Sequence, residues 1–346
     1  MAITDHVHWF FTPRCNLNCM YCFAPNFSFD ATTEKLRALA KILQDEGVKK
    51  VTLTGGESTL VGGLVDVLKI LSQAGVYTSL HTNATKLTPR KLDNLAGIVG
   101  DIAIPIDSTD REIQKRLKKF DYLPVFERVA LAIQERGINL GLHTVATALN
   151  IDGIPAMRDY LKKKGIKPDY WRIYMFNGDL VEDRFSNVKR FQEVKNLMGG
   201  CDYKVGGTDS LFARFLLTEE LFSKDNDGSI QFVGVHDYKP PYIFLTNSGE
   251  VRICDWFYTD RKPIGNLLTD DFNKIKERLE TAVEQGPFFD EAAFAEAETN
   301  RPLFARLWDG FYPIEEVEEV RPDSWNQIEH LAGLYESKRE RQSVLV

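Results

Sequence analysis

Three of the five cysteines, Cys15, Cys19 and Cys22, fall within eight residues, in the phrase Phe11-Thr12-Pro13-Arg14-Cys15-Asn16-Leu17-Asn18-Cys19-Met20-Tyr21-Cys22. A secreted disulfide framework spreads an even number of cysteines along a short chain, whereas crowding of this kind points to metal. Thiolates are the soft ligands that iron–sulfur clusters need. Three of them occupy three irons of a four-iron cube and leave the fourth iron open. An open coordination position separates a catalytic metal site from a closed structural one. The competing reading is a structural zinc, but tetrahedral zinc wants four ligands and no fourth cysteine or histidine lies nearby.

Other residues that could do chemistry are scattered along the first half of the chain. In Thr54-Gly55-Gly56-Glu57 the glycines permit close backbone approach to a ligand, and the carboxylate suits an ammonium. The bland alternative is an ordinary strand-to-helix turn. Asn83, Asp107 and Ser108 are polar residues at the ends of candidate strands, a common place for polar side chains. Lys115, Arg116, Lys118 and Lys119 either neutralise a phosphate or carboxylate or form a solvated helix face. His143 reads as a core histidine before it reads as a ligand. Arg172 and Tyr174 share one face by period two and are candidates for substrate or cofactor contact. Trp9 and Trp171 are expected in the core, and His236-Asp237 in a surface loop.

These residues must be positioned by an alternation of strands and helices. Strands are expected at 8–11, 50–53, 77–81, 102–106, 140–145 and 171–175. Between them, Leu36, Leu39, Ala40 and Leu43 keep helical spacing before Gly47, as do Leu64, Val67, Leu68 and Leu71 before Gly75. Phe126, Val129, Ala130 and Ile133 do the same before Gly137. Six strands each followed by a helix imply parallel pairing with right-handed crossovers. The fold class is therefore α/β, a partial (β/α)6 barrel with a C-terminal α+β extension. The expected division is a core over 1–180 and an extension over 181–346. The extension carries a hairpin over 242–254, turning at Asn247-Ser248-Gly249, and helices near 271–284, 291–297 and 325–341. The cysteine loop follows the first strand, at the end of a barrel where active sites gather.

The totals bound the partners. The chain has 346 residues and a formal net charge of -7. A negative balance argues against duplex nucleic acid, which asks for a basic face. No apolar run is long enough for a transmembrane helix, and the N-terminal residues show no secretory signal, so a cytoplasmic location is expected.

The cysteine spacing C-x3-C-x2-C, with Tyr21 before the last cysteine, resembles the signature of the radical S-adenosylmethionine (SAM) superfamily. The resemblance covers roughly residues 6–270 and implies a [4Fe-4S] cluster on Cys15, Cys19 and Cys22. It further implies SAM bound on the open iron and cleaved by one electron to a 5′-deoxyadenosyl radical. By the same resemblance Tyr21 packs against the adenine. Gly55, Gly56 and Glu57 form the motif that contacts the SAM amino group. Asn83 sits in a polar turn where Ala84 replaces the usual glycine, and Asp107 and Ser108 lie near the ribose or carboxylate. The segments after the fourth and fifth strands and residues 242–266 are similar to viperin and the molybdenum-cofactor cyclase group. The sequence after Cys22, Phe23-Ala24-Pro25-Asn26, departs from viperin, so substrate identity does not carry over. Residues 247–266 look like a shortened SPASM or twitch module. With only Cys254 there and Cys201 upstream, no auxiliary cluster is expected. Cys254 reads as a small buried apolar residue. The implied activity is hydrogen abstraction from a small polar substrate, a nucleotide or sugar, with a flavodoxin or ferredoxin as electron donor. The alternatives are a peptide-modifying radical SAM enzyme, an epimerase or crosslinker, and a non-catalytic iron–sulfur protein.

Overall fold

The computed structural model describes residues 5–22, 31–147, 149–175, 204–206, 243–252 and 263–285. The strands are β1 (His6–Thr12), β2 (Lys50–Gly55), β3 (Tyr77–His81), β4 (Asp101–Pro105), β5 (Asn139–Ala146) and β6 (Tyr170–Met175), joined by helices α1 (Thr33–Asp45), α2 (Leu64–Gln73), α3 (Pro89–Leu95), α4 (Arg111–Lys118), α5 (Leu123–Glu135) and α6 (Ile154–Lys163). The expected strands are all present, with the fourth one residue earlier than the spacing predicts. Thr32 and Thr88 cap α1 and α3 with their side-chain oxygens, and Asp110 caps α4 by accepting from two backbone N–H groups.

All neighbouring pairs from β1 to β6 are parallel. The sheet is longer than six strands. A short β7 (Lys204–Gly206) adds in parallel to β6, and β8 (Ile243–Thr246) adds in parallel to β1. Next come β9 (Glu250–Arg252) and β10 (Gly265–Asn266), both antiparallel, followed by α7 (Phe272–Gln285). The strand order is β10-β9-β8-β1-β2-β3-β4-β5-β6-β7, an open sheet and not a closed barrel. The hairpin expected over 242–254 is present as β8 and β9. It extends the sheet at the β1 edge, because β8 finds the unpaired backbone of β1. Cys201, Cys254, His236, Asp237 and the helices expected near 291–297 and 325–341 lie outside the described residues.

The two faces of the sheet separate cleanly by period two. One face carries Val7, Trp9 and Phe11, Val51 and Leu53, Leu80, Ile102 and Ile104, Leu140 and Leu142, Trp171 and Ile173, all buried with the apolar faces of the helices in one core. The other face carries His6, His8, Lys50, Thr52, Ser79, His81, Asp101, His143, Tyr170 and Arg172. Helices on one face only account for this split. The polar set lines the concave lumen, where Asp101 accepts from Tyr77, Ser79 and Tyr170 at 2.7–2.8 Å. Gly141 gives the Tyr170 ring its room, since a Cβ there would overlap the phenol.

Adjacent residues on β2 test this assignment. Leu53→Ala is expected to cost about 2–5 kcal/mol, as for a fully buried leucine. Thr52→Val, which replaces only a hydroxyl bonded to His6 at 3.0 Å by a methyl group, is expected to cost about 1 kcal/mol. Equal losses in chemical denaturation would contradict the face assignment.

Candidate active site

The cysteine loop leaves β1 where its register against β2 slips between Phe10 and Thr12. Such an irregularity re-aims the chain at the end of a strand. The loop is then seated on the β2 exit by backbone bonds. Gly56 N–H donates to the Thr12 carbonyl at 2.7 Å, and Glu57 N–H to the Arg14 carbonyl at 2.6 Å. Gly55 adopts φ +129°, and a Cβ on it would lie 2.5 Å from the Thr12 oxygen. A Cβ on Gly56 would lie 2.7 Å from the Pro13 oxygen and closer still to that of Arg14. The glycines are thus required for the approach of the cysteine loop itself, not only for the approach of a ligand.

Glu57 is fully buried and its carboxylate is engaged on both oxygens. Oε1 accepts from Thr59 N–H at 3.0 Å, from the Thr59 hydroxyl and from the Thr82 hydroxyl at 2.6 Å, and Oε2 accepts from Asn83 N–H at 2.6 Å. The carboxylate expected to meet an ammonium instead ties the β2 exit to the β3 exit. Asn83 carries the chain of contacts on to the cysteines. Its Nδ2 donates to Asn16 Oδ1 at 3.0 Å and lies 3.6 Å from Cys15 Sγ. Asn16 in turn donates to Thr85 at 2.8 Å, and Thr85 donates back to Asn83. Ala84, buried at φ +64°, adopts a left-handed conformation that an alanine tolerates less well than a glycine.

A second tether joins the loop to β4 and α4. Asp107 is fully buried, and its Oδ1 accepts from Val145 N–H at 2.9 Å. Its Oδ2 accepts from the Tyr21 hydroxyl at 2.6 Å and pairs with Lys118 Nζ at 2.7 Å. Lys118 Nζ also donates to the Tyr21 hydroxyl and stands 4.9 Å from the Tyr21 ring centroid. Met20 N–H donates to the Leu117 carbonyl at 2.8 Å, so the loop is pinned to the last turn of α4. Ser108 accepts from Asp110 N–H at 3.0 Å and shapes the entry to α4. Asn150 braces the same corner by donating to the Asp107 carbonyl at 2.8 Å. Of the basic run, Lys115 pairs with Glu112 on the exposed face, as a solvated run would, whereas Lys118 turns inward.

Tyr21, Glu57, Asn83, Asp107 and Ser108 are therefore gathered around the cysteines, with their polar atoms turned largely upon one another. Sequence reading named Lys118 only together with its neighbours, as a phosphate or carboxylate contact or a solvated face, and gave Thr59 no role. The signal for Lys118 was its place beside Leu117 on the inner face of α4, four residues after the buried Gln114.

None of the three cysteines is in a disulfide, and Cys15 and Cys22 are exposed. Burial pushes the Cys19 thiol up to about 12, with the Lys118 ammonium pulling it back. Burial likewise raises the Cys15 thiol. A metal must displace these protons to be held. Among the described residues no three His, Cys, Asp or Glu side chains converge on a point that would hold a single ion. The donor set, three thiolates on one partly exposed loop, fits a four-iron cluster.

Beneath the mouth, the lumen face brings together histidines that sequence reading had left scattered. The His81 and His143 rings meet edge to face at 4.3 Å between centroids, across β4, where small Ala103 lies in register with His81. The His6 and His8 rings meet at 4.8 Å. Burial first, and then the positive charge of Lys50 and Arg172, holds His6 down at about 4. Burial and Arg172 hold His143 at about 3, and His8 and His81 also lie well below the usual range. All four imidazoles are neutral near pH 7, while Lys50 and Arg172 supply positive charge. Tyr174 lies on β6, but its side chain is outside the described residues.

The close packing at Gly56 yields a prediction. Gly56→Ala is expected to displace the cysteine loop and lower the iron retained after reconstitution. Gly153→Ala, at φ -85° and where a Cβ meets nothing within 4 Å, is expected to retain iron as the parent does. Undiminished iron in Gly56→Ala would contradict the seating described here.

Comparison with known proteins agrees with this geometry. The pattern of the radical SAM superfamily matches residues 9–161. A GTP 3',8-cyclase from Erythrobacter litoralis is 28% identical over 212 residues, covering 57% of this chain and 64% of that protein. An S-adenosylmethionine-dependent nucleotide dehydratase from Lacinutrix mariniflava is 25% identical over 272 residues, covering 66% of this chain and 51% of that protein. The chain thus spans less than two thirds of the length of these relatives. A GTP 3',8-cyclase from Stenotrophomonas maltophilia is 29% identical over 290 residues, 78% of this chain and 86% of that protein. Among solved structures, anSMEcpe with bound AdoMet and Cp18Cys peptide superposes with a TM-score of 0.62 at 17% identity, covering 96% of each chain. Streptococcus suis SuiB bound to the precursor peptide SuiA gives 0.65 at 14% identity, covering 83% of this chain and 67% of that one. At these identities the structural likeness speaks to the fold, a mostly parallel open sheet flanked by helices. Residues 9–161 form a radical SAM domain.

Proposed function

We propose that the chain is a radical SAM enzyme that binds a [4Fe-4S] cluster on Cys15, Cys19 and Cys22 and acts on a small, polar, anionic substrate of the nucleotide class. The observation that carries this reading is the cysteine loop fixed at the mouth of a lumen lined by Lys50, Arg172 and four neutral imidazoles. When bound, the cluster and SAM supply reductive cleavage of the S–C5′ bond and a 5′-deoxyadenosyl radical that abstracts a hydrogen atom from the substrate.

The residues of this chain do the positioning. Glu57 and Asp107 hold the loop from opposite sides, so the three thiolates present one face to the lumen. Asn83 places an N–H group beside Cys15, a contact that favours the thiolate. The Gly55-Gly56 backbone borders the place where the SAM amino group would lie. Lys50 and Arg172 draw an anionic group into the lumen. The imidazoles, neutral near pH 7, offer hydrogen bonds to it without adding repulsion. Asp101 with Tyr77, Ser79 and Tyr170 closes the floor, which limits the length of the substrate. The names of the cyclase and dehydratase relatives support a nucleotide. We place the boundary between the barrel core and its C-terminal extension at 180/181, although the sheet itself continues across it through β7 and β8. No described helix is long and apolar enough to cross a membrane. A cytoplasmic location with a flavodoxin or ferredoxin as donor accords with the exposure of Cys15 and Cys22.

The test is anaerobic reconstitution with iron and sulfide, then dithionite and SAM, with 5′-deoxyadenosine followed by chromatography. Product is expected from the parent, stimulated by a nucleotide, and absent when Cys15, Cys19 and Cys22 are all replaced by Ala. Arg172→Met is expected to raise the KM for that nucleotide roughly tenfold or more, the usual cost of one charge-assisted hydrogen bond. Stimulation by peptides alone would overturn the substrate class, and a zinc-loaded, iron-free protein would overturn the whole reading.

A further inference from the structure

Around the cysteines the chain is basic, although its formal net charge is -7. The loop from Arg14 to Cys22 contains no Asp or Glu, and neither does the β3 exit from Asn83 to Leu92, which carries Lys86, Arg90 and Lys91. The last turn of α4 brings Lys115, Arg116 and Lys118. Arg14, Lys86, Arg90 and Arg116 are exposed. Two contacts draw these segments to the cysteines. Asn16, next to the exposed Cys15, donates to Thr85 at 2.8 Å, and Lys86 follows Thr85 in the chain. Met20, between Cys19 and Cys22, donates its N–H to the Leu117 carbonyl at 2.8 Å, and Arg116 precedes Leu117. Acids close to this rim are occupied: Asp110 caps α4, Glu112 pairs with Lys115, and Asp121 pairs with Arg111.

Exposed cations bind a small anion weakly, since water and salt screen each of them. Summed over a rim, the same charges steer an oppositely charged protein face into place. The anion of a small substrate also has cations of its own in the lumen, Lys50 on β2 and Arg172 on β6. Reductive cleavage of SAM needs one electron from outside, and Cys15 and Cys22 bring the edge of the cluster site to the surface. We propose that Arg14, Lys86, Arg90 and Arg116 form the docking surface for a small acidic electron-carrier protein. The docked carrier gives up one electron and is oxidised, and the cluster takes that electron and is reduced. The inference rests on the cluster assignment made above and names the surface that its donor uses.

The experiment compares two reductants on the reconstituted full chain, dithionite and the acidic protein flavodoxin reduced photochemically. Formation of 5′-deoxyadenosine from SAM and iron content are measured on the same samples. The parent is expected to respond to both reductants, and added salt to slow only the flavodoxin reaction. The double variant Lys86→Glu with Arg116→Glu is expected to lower kcat/KM for flavodoxin about tenfold or more, while iron content and the dithionite rate stay at parent values. Lys162→Glu with Lys163→Glu makes the same change in net charge at the last turn of α6, which leads to the start of β6 at the other end of the sheet. It is expected to keep the parent's kcat/KM for flavodoxin. An unchanged response of Lys86→Glu with Arg116→Glu to flavodoxin overturns the inference, as does a fall of both rates together. So does an equal loss in the two double variants, or no flavodoxin-supported product from a parent active with dithionite. A raised KM for the nucleotide with flavodoxin unaffected assigns the rim to substrate instead. In all these outcomes the cluster assignment stands. If the parent binds no cluster, it falls together with the inference.

Discussion

Two carboxylates that never meet solvent, Glu57 and Asp107, decide where the cysteine loop can be. Each is saturated by donors from other exits of the barrel. Glu57 gathers Thr59, Thr82 and Asn83, and Asp107 gathers Val145, Tyr21 and Lys118. A buried carboxylate without its donors is strongly destabilising, so each of these loops is held as firmly as the others that feed the same carboxylate. The loop that carries the thiolates has no helix or strand of its own between Pro13 and Cys22. Its order is borrowed from this pair of anchors and from the Gly55-Gly56 contact. The radical chemistry expected at the site needs that borrowed rigidity, because a reactive radical must be formed within reach of one hydrogen atom and few others.

The same economy governs the sheet. A parallel sheet covered by helices on both faces reads as unbroken apolar runs. Among the described residues helices cover only one face, and the other carries histidine, lysine, arginine and tyrosine. That division turns an ordinary α/β sheet into a container. The floor around Asp101 and the ring contact of His81 with His143 both use small residues, Gly141 and Ala103, to let larger ones reach across the lumen. The extra strands on each edge widen the sheet without closing it.

Much of this was legible in the chain. The strands at 77–81 and 140–145 and the helical spacing from Leu36 to Leu43 carry strong local signals and stand as read, and the cysteine phrase carries a signal as strong. The lumen face was legible in principle: Val7 and Trp9 alternate with His6 and His8, and Val51 and Leu53 with Lys50 and Thr52. It was missed because the alternation along single strands was not clean enough to assign faces. What no local pattern could reveal was the destination of charge. Glu57 reads as a ligand for an ammonium, and Lys118 as one cation in a solvated run. Both are decided by partners on other elements, Thr82 and Asn83 for Glu57 and Asp107 and Tyr21 for Lys118, whose packing the local sequence does not encode. The hairpin was found by its turn. Its place beside β1 depends on which edge is left unpaired, a property of the whole sheet.

The central claim is that Cys15, Cys19 and Cys22 hold a cluster with one iron left open to a ligand, in a mouth fixed by Glu57 and Asp107. The most direct measurement is Mössbauer spectroscopy of protein reconstituted with the Mössbauer-active isotope of iron, before and after addition of SAM. The account predicts a minority iron site distinct from the remaining irons, and a change on adding SAM confined to that site. Irons that all respond alike, or none that responds to SAM, would contradict it.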